Sequence, residues 1–194
     1  MLVLCPNLEI SPDIRLSDNG SCNDMIWETG GLIDASEYDL SNLEFICESL
    51  PYGKFPDYAV SDMGCVVVSE KLKQSFESAG IDNIQYFPAS VIETEGQLAK
   101  KGFYAVNIVG LIDCIDKDAS DMDSEENEDG ERTIIYSIDK LVLKETDSNP
   151  GYLYRMAWFS GVILINENIA SKFESSVGIH FIPPERWDGY SGEK

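Results

Sequence analysis

His180 is the only histidine in the chain. Any proton transfer or metal ligation that needs an imidazole must therefore use it. It stands in Ile179-His180-Phe181-Ile182, where strand alternation turns it away from Ile179 and Phe181. A strand histidine facing solvent accounts for this placement more simply than a general base does. Carboxyl pairs could serve as acid and base, but with 35 acidic residues any two can be paired on paper. Glu70 and Glu167 recur at equivalent places, and both fit the first turn of a helix, where the dipole favours an anion. No G-x-S-x-G, H-E-x-x-H or phosphate-cradling G-x-x-x-x-G-K-[ST] pattern occurs.

Metal chemistry fares no better. Asp116, Asp118 and Ser120 open like a calcium loop, but its sixth position is Asp121 where glycine is required. The twelfth is Asn127 instead of glutamate. The acidic run should attract cations weakly without forming a site. The cysteines, Cys5, Cys22, Cys47, Cys65 and Cys114, contain no C-x-x-C pair. They read as small buried apolar residues in a reducing compartment. No catalytic residue, metal or cofactor is expected.

Two segments suit a binding surface. The stretch 116–131, DKDASDMDSEENEDGE, carries nine acidic residues against Lys117 alone. Charge this dense, with almost nothing apolar, reads as a mobile surface loop between two strands. Asp121, Asp123, Glu125, Glu126, Glu128 and Asp129 are its candidate partner-binding residues. The tail Pro183-Pro184-Glu185-Arg186-Trp187-Asp188-Gly189-Tyr190 offers Trp187 and Tyr190, residue types that anchor interfaces. For Trp187 the competing reading is that its ring packs the tail down.

The elements that must position these residues are unevenly marked. Residues 1–60 are poorly periodic and read as an irregular region, with a helical turn near 39–48. Cys65–Val68 is a β-branched run, followed by Ser69 as N-cap, Leu72, Phe76 and Ala79 on one helix face, Gly80 as stop, and a strand at 84–87. Val162–Ile165 is followed in the same order by Asn166, then Ile169, Phe173 and Val177, then Gly178 and a strand at 179–182. Phe76-Glu77-Ser78 matches Phe173-Glu174-Ser175. Between these units, 103–113, 134–143 and 152–159 read as strands. The expected fold is α+β: a mixed, mostly antiparallel sheet with packed helices, built on two pseudo-symmetric strand–helix–strand units. The expected division is 1–60 irregular, 61–185 the α+β domain, and 186–194 a tail, in one compact body.

Charge narrows the partner. The chain of 194 residues has a formal net charge of -21 and a pI near 4.1. Such a surface repels phosphate backbones and anionic membranes. A basic protein is its natural complement. The N-terminus lacks a basic leader and no window is apolar enough to span a bilayer, so a cytoplasmic location is expected.

The ordered series VVVSEKLKQSFESAGIDNIQYFP, FYAVNIVGLIDCID, IDKLVL, LINENIASKFES and IHFIPP resembles a family of bacterial immunity proteins that occur beside polymorphic or secreted toxins. The likeness covers roughly residues 55–185, leaving aside the first 50 residues and the acidic segment. It implies a non-enzymatic protein that binds and neutralises a cognate toxin. It carries over no site residues. The negative surface suggests that the toxin is basic. The alternatives are a small acidic enzyme or metal-assisted hydrolase using paired carboxylates, and an adaptor domain unconnected with toxins.

Overall fold

Val66–Ser69 and Ile163–Ile165 show no polar–apolar alternation because both strands are covered on both faces. The computed structural model describes residues 1–17, 24–50, 53–95, 98–126, 133–144, 152–190 and 192. Its strands are β1 (Leu2–Pro6), β2 (Arg15–Leu16), β3 (Leu43–Cys47), β4 (Tyr58–Val60), β5 (Val66–Ser69), β6 (Ile84–Glu93), β7 (Leu98–Ile108), β8 (Leu111–Ile112), β9 (Asp121–Glu126), β10 (Thr133–Lys140), β11 (Leu153–Met156), β12 (Ile163–Ile165) and β13 (Ile179–Ile182). The α-helices are α1 (Glu70–Ser78) and α2 (Glu167–Ala170).

The strands form a six-stranded sheet, order β2-β3-β6-β7-β5-β4, and a five-stranded sheet, order β13-β1-β12-β11-β8. A separate two-stranded ribbon joins β9 to β10. Most pairs are antiparallel; β3 with β6 and β8 with β11 run parallel. Val66 and Val68 of β5 join Leu4, Ile163 and Ile165 in a core between the two sheets, closed by Leu72, Phe76 and Phe173. Val67, on the other face of β5, packs with Trp27, Phe45 and Phe87. Leu164, on the other face of β12, packs with Ile135, Ile138 and Trp187. Each fully buried aliphatic side chain contributes about 1.5–3 kcal/mol, so strands buried on both sides carry much of the stability.

This architecture corrects the expected α+β class. Among the described residues thirteen strands stand against α-helices of nine and four residues, so sheets packed on sheets, rather than helices on one sheet, make the core. The first helix starts as its sequence requires: Ser69 accepts from the Leu72 N–H at 3.2 Å. Asn166 likewise accepts from the Asn168 N–H at 2.9 Å. After Ala170, however, the second helix tightens into a 3-10 turn over Ser171–Phe173. Val177 is left 52% exposed instead of on a helix face. The two units thus share a way of starting but not a helix that could pack as a layer.

The N-terminal region is also more regular than expected. β1 is an inner strand of its sheet, with Val3 opposite both Leu164 and Ile182. Residues 43–47 form β3, not a helical turn; Leu43, Phe45 and Cys47 alternate inward. The helical turn lies earlier, as a 3-10 turn at Asp24–Glu28. Cys5, Cys47, Cys65 and Cys114 are buried and form no disulfide; Cys22 lies outside the described residues. Among the described residues no helix is long and apolar enough to cross a membrane.

Candidate partner-binding surface

The acidic segment departs most from expectation. Asp121, Asp123, Glu125 and Glu126 are not on a loop: they belong to β9, paired antiparallel with β10. The backbone ladder orders the strand while the carboxylates point into water, where their repulsion is screened. Met122 sits opposite Ile138, and β10 turns Ile135 and Ile138 into the core. The ribbon therefore has an anchored inner face and an outer face of charge. Glu128 and Asp129 lie outside the described residues.

The outer face also carries apolar groups. Ile134, opposite Glu125, is 53% exposed and Tyr136 is 58% exposed. Tyr136 Oη donates to Glu125 Oε2 at 3.0 Å. That hydrogen bond, with the charge of Glu125, raises the phenol above its ordinary pKa. At the ribbon's end Lys117 Nζ donates to Thr133 Oγ1 and lies 5.3 Å from the centre of the Trp158 ring. Among the described residues Trp158 is the non-glycine residue with a positive φ, 70°, and its side chain is partly open to solvent. A bulky residue in the left-handed region costs of order 1–3 kcal/mol and marks a place where position matters. From the sequence Trp158 reads as a core residue within the 152–159 strand; the strand ends at Met156, and no local pattern marks the turn that follows.

The structure separates the two tail candidates. Trp187 is 3% exposed and packs in the core beneath the ribbon, so it is not available as an exposed anchor. Its size drives this: the five-stranded sheet leaves an apolar face that β10 alone does not cover. Tyr190 is 79% exposed. Between them Asp188 Oδ1 accepts the Tyr190 and Gly192 N–H groups at 2.8 and 2.9 Å, which fixes the turn.

Trp187 and Tyr190 also line a cleft of about 500 Å³ between the tail, β1 and the 58–64 segment. Arg155, 1% exposed, closes one wall. It donates from Nη1 to the Ser160 carbonyl at 2.7 Å and from Nη2 to the Gly64 carbonyl at 3.2 Å. Burial pulls its pKa down and the charge of Glu28 pushes it back up. Cys5, on the same cleft, is pushed up to about 12 by burial and by the charge of Asp188. A thiol so poorly ionised is a weak nucleophile.

Among the described residues the carboxyls whose acidity shifts, Asp34, Asp39, Asp57 and Glu70, all shift downward. General acid catalysis would need the opposite sign. Glu70 is held by hydrogen bonds from Tyr104 and Gln74, and Glu167 by the N-terminal ammonium at 3.0 Å. Both serve the fold. His180 is exposed on β13 opposite Cys5. No group of three His, Cys, Asp or Glu side chains among the described residues is placed to hold a metal.

Residues 34–183 match the family described as Immunity protein family (Imm11). The chain belongs to this family. The matched span of this Imm11 protein runs from before β3 to the end of β13. It includes the acidic ribbon and Trp158, and it leaves β1, Trp187 and Tyr190 outside. It starts about twenty residues earlier than the resemblance read from the sequence, and it takes in the acidic segment which that resemblance left aside. No curated protein matches the chain.

Proposed function

We propose that this Imm11 protein confers immunity by binding a cognate toxin and blocking it through protein–protein contact. The family match over 34–183 carries this reading. The acidic ribbon supports a basic partner, because Asp121, Asp123, Glu125 and Glu126 are all exposed on one strand of it. Ile134, Tyr136 and Trp158 supply the apolar contacts that charge alone lacks. The protein acts in the cytoplasm of the cell that carries the toxin. A toxin that must attract phosphate would present a suitably positive cleft.

The test is co-expression of the neighbouring toxin gene with and without this protein, followed by isolation of the complex. Rescue of growth together with a one-to-one complex is expected. Rescue without a complex would point to an adaptor or enzymatic route. A toxin whose contact face is acidic would remove the charge argument.

A further inference from the structure

Among the described residues β9 is hydrogen-bonded on one side only. Its ladder runs to β10, and no strand among the described residues pairs with its other edge. An unpaired edge is a template for another strand. Proteins commonly guard such edges with lysine or proline; here the guard is negative.

The spacing of that guard is regular. β9 runs without interruption from Asp121 to Glu126, and the two irregularities in the ladder fall on β10, at Tyr136 and Asp139. Asp121, Asp123 and Glu125 therefore project from one face, about 7 Å apart, at two residues per pleat repeat. Ile134 and Tyr136 flank the end of that row on the same face, through the Ile134–Glu125 pair and the Tyr136–Glu125 hydrogen bond.

We propose that β9 is a docking edge for an extended, basic segment of the partner, which joins the ribbon as a third strand. This rests on the toxin-binding reading above and specifies how the contact is made. Backbone hydrogen bonds supply affinity in this mode, and alternate side chains supply selection. A segment with Lys or Arg at every second position places its cations opposite the three carboxylates. Opposite charges across a strand pair stabilise it, whereas like charges directly opposite destabilise it. The same row therefore rejects a second copy of β9 and admits a basic strand.

A synthetic peptide of alternating lysine and valine tests this without knowledge of the toxin. The full-length protein should bind it, with slowed hydrogen exchange at the amides of 121–126. The same peptide methylated at every backbone nitrogen keeps its charge but cannot donate, and its affinity should fall by about tenfold or more. The Asp121→Asn, Asp123→Asn, Glu125→Gln triple variant changes only exposed side chains; it should lose affinity comparably while keeping its circular dichroism. No binding, equal binding of the methylated peptide, or binding that leaves 121–126 unprotected would each overturn the proposal. Because the peptide is synthetic, such a failure alongside rescue in the co-expression assay would leave the toxin-binding reading standing.

Discussion

Phe76 of α1 and Phe173 of the second helical segment meet edge to face, ring centroids 5.0 Å apart and planes at 70°. Both are essentially fully buried. The Phe-Glu-Ser match in the sequence thus marks two residues that touch. Their contact lies in the core between the two sheets.

Replacing either ring with alanine should cost about 3–5 kcal/mol, from lost burial and the cavity left behind. In a double-mutant cycle the pair should show a coupling of about 0.5–1.5 kcal/mol beyond area burial. Urea unfolding of the two single variants and the double variant measures both. Strict additivity would mean that the rings pack against the sheets and not on each other.

Asp57 ties the start of α1 to the far end of the other unit. Its carboxylate accepts from Ser69 Oγ at 2.7 Å, Lys71 Nζ at 3.0 Å and the Val177 N–H at 2.9 Å. Burial works to raise its pKa, yet these donors hold it below the ordinary 3.8. The folded pKa is thus lower than the unfolded one. The contribution is complete above about pH 5 and fades as pH falls through 3.8 toward the folded value. Asp57→Asn should lower stability at neutral pH and flatten its decline over that acid range, measured as urea midpoint against pH.

Trp187 and Tyr190 should behave oppositely. Trp187→Ala should cost about 3–5 kcal/mol, whereas Tyr190→Ala should change stability by no more than about 0.5 kcal/mol. Gly189→Ala should resemble the first. Its φ is +89°, and a Cβ there would come within 2.5 Å of the Ile138 carbonyl oxygen. Thermal unfolding of the three variants distinguishes a tail clamped onto β10 from one lying loosely over it.

The legible parts of this fold are those in which chemistry and conformation are local. Ser69 and Asn166 cap helices because a short side-chain oxygen reaches an N–H two or three residues away. Gly80, at φ +85°, follows the C-cap of α1 as expected; Gly178, at φ +94°, lies five residues beyond the 3-10 turn that ends at Phe173 and does not stop the second helix. Nothing local says that Leu2–Pro6 will lie between β12 and β13. That position depends on pairing with residues more than 150 positions away, as with Val3 and Leu164. β9 was obscured for another reason. Its side chains suit an unfolded chain, and only the ladder from β10, with Met122 over Ile138, makes it a strand. At Trp187 ring size outweighed a polar neighbourhood.

Trp158 gives the sharpest separation of stability from binding. Its left-handed backbone is strained for a residue with a large side chain, and that side chain stays 39% exposed. Lys117 Nζ lies 5.3 Å from the ring centre, an interaction worth about 0.5–1 kcal/mol at an exposed site. Glycine tolerates φ 70° without strain. Trp158→Gly should therefore leave stability within about 1 kcal/mol of the parent, the relief of strain offsetting the lost ring contact. If the ring is an interface anchor beside the ribbon, the same change should weaken the toxin complex by about 2 kcal/mol or more, chiefly through faster dissociation. The acidic residues should act differently: neutralising Asp121 and Asp123 should slow association, and more so at low salt. Surface-binding kinetics at two ionic strengths resolve the two effects. An unchanged dissociation rate for Trp158→Gly would place the strained turn outside the contact and leave its φ as a feature of the β11–β12 connection alone.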